Sequence, residues 1–139
     1  MEKLHLISAD TLFYQPLDHP KMLIDGILSN GLAILSGDSK IGKSWMVLWL
    51  CLKISRGEPV WGLPTAQTDV IYLALEDNDW RIQQRMQELI DEPPKNLHFG
   101  FSCGKLGAEL EGQIKGVLED NPNTGLLFID TLQMVRDNV

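Results

Sequence analysis

The feature that most constrains this chain is an eight-residue segment with two glycines, Gly37-Asp-Ser-Lys-Ile-Gly-Lys-Ser44, which we call the glycine segment. It fits the pattern GxxxxGK[ST] and lies between an apolar run at 32–36 and a second apolar run that starts at Trp45. In this pattern, glycines allow the backbone to approach a phosphate closely, and N–H groups at a helix start face the anion. The sequence therefore predicts a strand, a phosphate-binding loop and a helix in direct succession.

The glycine segment also predicts which groups would hold a nucleotide and its metal ion. Lys43 would reach the β- and γ-phosphates of ATP as a catalytic residue, and the Ser44 hydroxyl would be a ligand of Mg²⁺. Lys40 would either add a second cation near the phosphates or point into solvent. The predicted nucleotide-binding residues are Gly37, Asp38, Ser39, Lys40, Ile41, Gly42, Lys43, Ser44 and Trp45.

Two carboxylates that end apolar runs complete the predicted site. Asp130 follows the run at 125–129, 87 positions after Lys43, and would bind Mg²⁺ through water. Glu76 follows the run at 70–75. Because ligands gather at the carboxyl ends of strands in open α/β sheets, both acids should lie near the phosphates.

Glu76 has two possible roles. It could be the catalytic base that orients and deprotonates the water attacking the γ-phosphate. Alternatively, the acidic run at 76–79 could only cap the next helix, which is the role expected of Asp77 and Asp79. We favour the catalytic role for Glu76.

Apolar runs alternate with helical patterns along the chain, which indicates an α/β fold built from βαβ units around a mostly parallel sheet. The predicted strands are 32–36, 70–75, 96–101 and 125–129, and the predicted helices are 43–55, 79–91 and 108–120. Asn78 or Asp79 would cap the second of these helices. Trp45 and Trp49 are expected in the core, and Trp61 either in the core or at the nucleotide rim.

Charge and composition exclude several classes of protein. The 139 residues carry a net charge of −7, and residues 61–139 hold thirteen acidic against six basic side chains, which opposes a broad non-specific nucleic-acid surface. The longest apolar run, 45–52, is too short to span a membrane, and the N-terminus lacks the order of a signal peptide. Two cysteines 52 positions apart indicate neither a disulfide framework nor a zinc site. We expect a cytoplasmic protein without a membrane partner.

With the glycine segment, Glu76 and Asp130 in view, the chain resembles the RecA-like ATPases. Within them it is similar to the RepA-type replicative helicases of plasmids and mobile elements. The resemblance covers about residues 20–135. The glycine segment matches the Walker A loop of these ATPases. The resemblance rests on four further stretches: the run 23–37 that leads into this loop, Ser55-Arg-Gly-Glu-Pro, Tyr72-Leu-Ala-Leu-Glu-Asp77 with Arg81 and Arg85, and Phe128-Ile-Asp-Thr-Leu132.

The resemblance implies a RecA-like P-loop NTPase fold of three layers, αβα, and Mg²⁺-dependent ATP hydrolysis by a DNA helicase in replication. Glu76 matches the catalytic glutamate of the family. Family members form hexameric rings, take an arginine from the neighbouring subunit and move along single-stranded DNA. Arg81 and Arg85 are expected on a solvated helix face, with phosphate sensing as the alternative.

The resemblance also predicts the domain organisation. Residues 1–30 would be a leader, and 31–139 a RecA-like ATPase domain. This domain would be truncated after the run at 125–129 with Asp130, which matches the Walker B strand of the family, because the family's core continues beyond it. Without the strand that follows, 32–36 and 125–129 should pair directly or borrow a strand from another copy, which would give a dimer. DNA-stimulated hydrolysis and unwinding should also be absent, because this sequence lacks the arginine finger and the DNA-contacting loops of the family.

Two other functions stay open on the sequence alone. The first is a RecA-fold ATPase of the RadA or KaiC kind in recombination or regulation, which shares the same motifs. The second is a nucleotide-binding module without turnover that gates a partner interaction. Glu76 favours turnover, whereas the missing downstream half of the family's core opposes turnover in this chain.

Overall fold

A computed structural model describes residues 2–18, 21–37 and 41–136. Its helices and strands, in chain order, are α1 (Ala9–Tyr14), β1 (Met22–Ile24), β2 (Leu28–Ser29), α2 (Lys43–Arg56), β3 (Asp69–Ala74), α3 (Asp79–Leu89), β4 (Leu97–Gly100), α4 (Leu110–Asp120) and β5 (Thr124–Asp130), followed by a 3₁₀ turn at Leu132–Met134. No helix of these described ranges has the length and apolar character needed to cross a bilayer.

Three parallel strands in the order β4-β3-β5 form the main sheet. β3 is central, and its apolar run is buried on both sides, as expected where helices cover both faces of a sheet. β4 and β5 lie on opposite sides of β3, so right-handed crossovers place α3 and α4 on opposite faces. The predicted α/β class with a mostly parallel sheet is confirmed.

The main core lies between α2 and the face of β3 formed by Val70, Tyr72 and Ala74. α2 is apolar on nearly all sides, and its buried residues include Leu48 and Ile54. The opposite face of the sheet has buried residues of its own, which are not part of this core: Ile71 on β3, Leu110 on α4 and Val135 after the 3₁₀ turn.

The helices and strands after the glycine segment agree with prediction to within two residues at each end. α3 begins after Asn78, whose side chain accepts a hydrogen bond from the Arg81 N–H at 2.9 Å, so Asn78 is the cap. It ends at Leu89 because Ile90 is extended, just before the Asp91-Glu-Pro-Pro94 run.

The predicted strand at 32–36 is wrong. These residues have no regular secondary structure, and Leu32 and Ile34 are 95% and 76% exposed. Nor do they pair with β5, whose only partner among the described residues is β3. A strand needs a neighbour to accept and donate its backbone hydrogen bonds, and within the described ranges this segment has none. The expected direct pairing of 32–36 with 125–129 is therefore also wrong.

The region before residue 30 contains two different parts. α1 and the extended residues around it have no buried residue, and Leu4, Leu6 and Phe13 are exposed. In contrast, the β1–β2 hairpin places Ile24 in the core, and backbone hydrogen bonds join it to residues 64–66. The predicted boundary at residue 30 stays a prediction.

Candidate nucleotide-binding site

The turn into α2 has the backbone that the glycine segment requires. Gly42 caps the helix with φ at +91°, a left-handed conformation that side chains other than glycine rarely adopt. A Cβ atom at Gly37 would lie 2.5 Å from the end of the exposed Ile41 side chain, which would have to move to make room for it. α2 then begins at Lys43, and its first N–H groups have no acceptor within the helix, which suits an anion.

Lys43 lies in the first turn of α2, and its side chain reaches back to Gly37. Its ammonium group donates a hydrogen bond to the Gly37 carbonyl. This contact joins the two ends of the glycine segment. Three predicted nucleotide-binding residues, Asp38, Ser39 and Lys40, lie outside the described residues.

The central contact of the site joins two segments that are 86 residues apart. The Ser44 hydroxyl donates a hydrogen bond of 2.7 Å to Oδ2 of Asp130. Ser44 belongs to the first turn of α2, and Asp130 is the last residue of β5. The two residues predicted to bind the metal ion are therefore adjacent, at the carboxyl end of the parallel sheet.

Tyr72 is a site residue that the sequence analysis missed. Its buried hydroxyl donates a hydrogen bond of 2.9 Å to the same Oδ2 atom of Asp130. In the parallel register Asp130 is opposite Ala74, and Tyr72 lies two residues back on the same face, within reach of a tyrosine. Burial, with the nearby Asp130 carboxylate, raises the pKa of Tyr72 well above its ordinary value, so it stays a donor.

A sequence signal for Tyr72 does exist. It has the only side-chain hydroxyl in the apolar run 70–75, and a buried hydroxyl in a strand requires a partner. The acids that end this strand and its neighbours are the available acceptors.

Glu76 lies two residues beyond the end of β3 and is exposed. Its Oε1 atom accepts a hydrogen bond of 3.2 Å from the Thr131 hydroxyl, which follows Asp130. The Leu75 N–H also donates to the Asp130 carbonyl at 2.9 Å. These two bonds hold the chain that carries Glu76 beside the chain that carries Asp130, as the strand-end argument predicts.

Asp77 is not a helix cap, contrary to expectation, because its carboxylate pairs with two arginines of α3. Its Oδ2 lies 2.6 Å from Nη1 of Arg85, and its Oδ1 lies 3.2 Å from Nη1 of Arg81 without hydrogen-bond alignment. The Asp77 side chain is only 8% exposed, and that of Arg85 only 17%. The expectation of a solvated face is therefore wrong for Arg85, whereas Arg81 is half exposed.

The tryptophans differ from prediction in part. Trp45 is 38% exposed, so its expected place in the core is wrong, and the Arg85 guanidinium lies 5.0 Å from its ring centre. Trp49 packs against the core as expected. Trp61 is exposed, and its ring lies beside Trp49 in the second turn of α2.

The donor set of the site fits a magnesium ion. Ser44 supplies a hydroxyl and Asp130 a carboxylate, and hard oxygen ligands of this kind are the ones Mg²⁺ prefers. The hydrogen bond between the two side chains places both donors at one point beside the start of α2.

These features define a P-loop ATPase-type protein: a parallel sheet, the glycine segment that leads into a helix, and a serine–aspartate pair at the carboxyl end of the sheet. The family model described as AAA domain matches residues 2–138, and the chain belongs to this family. No curated protein and no solved structure gives a significant match to the chain.

Proposed function

We propose that this chain binds ATP with Mg²⁺ at the carboxyl end of the sheet and hydrolyses it, as the ATPase part of a RepA-like DNA helicase in the cytoplasm. The observation that carries the ATPase proposal is the 2.7 Å hydrogen bond between Ser44 and Asp130. It brings together two groups that bind the metal ion in P-loop enzymes, from segments far apart in the sequence. The family supports ATPase activity in general.

In the proposed binding step, backbone N–H groups at the start of α2 hold the phosphates, where the helix dipole favours an anion. Lys43 leaves the Gly37 carbonyl and pairs with the phosphate oxygens, a stronger charge-assisted contact. Ser44 and Asp130 would hold the metal ion, which would supply positive charge beside the phosphates. Tyr72 keeps the Asp130 carboxylate oriented.

In the proposed hydrolysis step, Glu76 accepts a proton from the water that attacks the γ-phosphate. Its exposure leaves the carboxylate free to contact a water molecule, and the Thr131 hydroxyl fixes one of its oxygens at 3.2 Å. The products are ADP, inorganic phosphate and a proton that Glu76 then releases to solvent.

Nucleotide binding is tested with Lys43→Ala. The change removes several charge-assisted contacts to phosphate, each worth roughly 1.5–3 kcal/mol, so calorimetry should detect at least a tenfold loss of ATP affinity. Lys53→Ala is the matched control, because Lys53 is on the same helix and pairs with Glu58 instead. Equal affinities for Lys43→Ala and Lys53→Ala would reject the site.

Turnover is tested with Glu76→Gln, which keeps the shape of the side chain and removes the base. We expect a rate about 10²–10⁴-fold lower with nearly unchanged ATP affinity, since a positioned base contributes about that much. Asp79→Asn, in the first turn of α3, is the control and should keep the rate. If Glu76→Gln keeps the wild-type rate and Asp77→Asn is slow instead, Glu76 is not the base.

The helicase part of the proposal rests on the sequence resemblance around Glu76, Asp130 and the glycine segment. We propose single-stranded DNA and further copies of the chain as partners. The exposed apolar side chains of 32–35 and of the region around α1 support assembly, since contiguous apolar surface on a soluble protein often marks an interface.

Hydrolysis measured with and without single-stranded DNA, together with light scattering, tests these partners. Stimulation of this chain by DNA in an oligomer supports the helicase role and contradicts the expected truncation. Hydrolysis that DNA does not change fits both a truncated helicase domain and a RadA- or KaiC-like regulator, and the same measurement on a longer version of the chain separates these two. Binding without hydrolysis favours a gating module.

A further inference from the structure

The carboxylate of Asp77 and the ring of Trp45 both contact one side chain, that of Arg85. The guanidinium lies 2.6 Å from Asp77 and 5.0 Å from the centre of the Trp45 ring. Trp45 directly follows Ser44 in α2, and Asp77 directly follows Glu76. Arg85 thus connects the helix that begins at the glycine segment to the turn that carries the candidate base.

We propose that Arg85 is a positioning residue for ATP hydrolysis, which acts through Asp77 and Trp45 to fix Glu76 relative to the start of α2. This inference rests on the proposed function, because it assigns a role relative to Glu76. We call Asp77, Arg85 and Trp45 the arginine bridge.

The chemistry of the arginine bridge favours a fixed geometry. A guanidinium is planar and always charged, so it can pair with a carboxylate in its plane while an aromatic ring covers its face. Both charged partners are largely shielded from water, which strengthens their interaction relative to a surface pair. Asp77 lies in the turn between β3 and α3, and Arg85 lies in α3, so their pair fixes this turn against the helix that follows it. The contact of Arg85 with Trp45 adds α2 to the same arrangement.

Glu76 has few other constraints. Its side chain is exposed and, among the described residues, is held by one hydrogen bond, from Thr131. Its backbone is held on one side by the Leu75 N–H bond to the Asp130 carbonyl and on the other side by its neighbour Asp77, which Arg85 anchors. A displacement of about 1 Å in a catalytic group can lower a rate about a hundredfold, so loss of the anchor should slow turnover.

The test compares Arg85→Gln, Arg85→Lys and the control Arg56→Gln for turnover number, ATP dissociation constant and melting temperature. Arg56 forms an ion pair with Glu58 at a similar distance of 2.8 Å, at the opposite end of α2 from Trp45, but this pair is more exposed. We expect Arg85→Gln to lower the turnover number about tenfold to a hundredfold, with ATP affinity changed less than about threefold. Arg85→Lys keeps a charge on Asp77 and should recover part of the rate, while Arg56→Gln should match the wild type.

Several results would overturn the role of Arg85. One is a wild-type turnover number for Arg85→Gln while Glu76→Gln is slow, which leaves the proposed function intact. Another is an equal loss of rate and of ATP affinity, which would indicate general damage to the site. A wild-type chain without turnover, or a fast Glu76→Gln variant, would overturn the proposed function and the role of Arg85 with it. If Arg85→Gln does not fold, Arg85→Lys alone tests the role of Arg85. Its single point charge should still lower the turnover number measurably, and a wild-type turnover number would overturn the role.

Discussion

The two segments that flank the glycine segment have similar composition and opposite environments. Residues 32–35 before it and α2 after it are both rich in leucine and isoleucine. Leu48 and Ile54 in α2 are fully buried, whereas Leu32 and Ile34 are mostly exposed. Apolar composition alone therefore does not decide which of the two segments joins the core.

The difference follows from where each segment finds its hydrogen bonds. A helix satisfies its backbone N–H and C=O groups internally, so α2 needs only an apolar surface to pack on, and β3 supplies one. A strand needs another strand beside it, and within the described residues 32–36 have none. The candidate site is consequently anchored through α2, β3 and β5.

The largest expected effect comes from deleting the same side chain in both segments. Ile54→Ala should lower the free energy of unfolding by about 2–5 kcal/mol, because Ile54 is buried in the core. Ile34→Ala should change it by less than about 0.5 kcal/mol, because Ile34 is exposed. Urea unfolding measures both, and a large effect of Ile34→Ala would mean that 32–36 is packed in solution, either within the chain or against another copy.

An intermediate effect is expected from removing one hydroxyl at the end of the sheet. Tyr72→Phe removes a hydrogen bond to a carboxylate and should destabilise the protein by about 1.5 kcal/mol. Tyr14→Phe is the matched control, since Tyr14 is exposed on α1 and should change nothing measurable. Thermal unfolding of the two variants compares the packed and exposed regions directly, and similar melting temperatures would contradict the role of Tyr72 beside Asp130.

The smallest effect concerns the helix caps of the two regions. Asn78→Ala should lower the free energy of unfolding by about 1 kcal/mol, because it removes the side-chain bond to the Arg81 N–H. Ser8→Ala, at the equivalent position before α1, should have less effect, since the Ser8 side chain makes no cap bond. Denaturant titration separates the two, and the reverse order would mean that α1 packs against the rest of the chain.

Much of the fold was predictable because its signals are local. The apolar runs of β3 and β5 and the pattern of α2 are continuous in sequence, and the glycine segment locates the start of α2. The position of Asp130 beside the start of α2 followed from the rule that ligands gather at the carboxyl ends of strands, taken together with the glycine segment that contains Ser44. These predictions needed no knowledge of side-chain contacts.

The rest depended on tertiary neighbours. The state of 32–36 is decided by whether a strand pairs with it, which its own residues do not encode. Arg85 looked like one more charged residue on an amphipathic helix, and only the fold brings Asp77 and Trp45 to it. Tyr72 likewise acquires a role only through the register between β3 and β5.

The burial of Cys51 has a consequence for the chemistry of the chain. Cys51 lies fully inside the core between α2 and β3, and burial raises the pKa of its thiol well above the ordinary value. Alkylating reagents react with thiolates, so Cys51 can be modified only when that core opens, whereas Cys103 is partly exposed. The rate at which Cys51 is labelled, relative to the rate for Cys103, therefore reports how often α2 separates from the sheet.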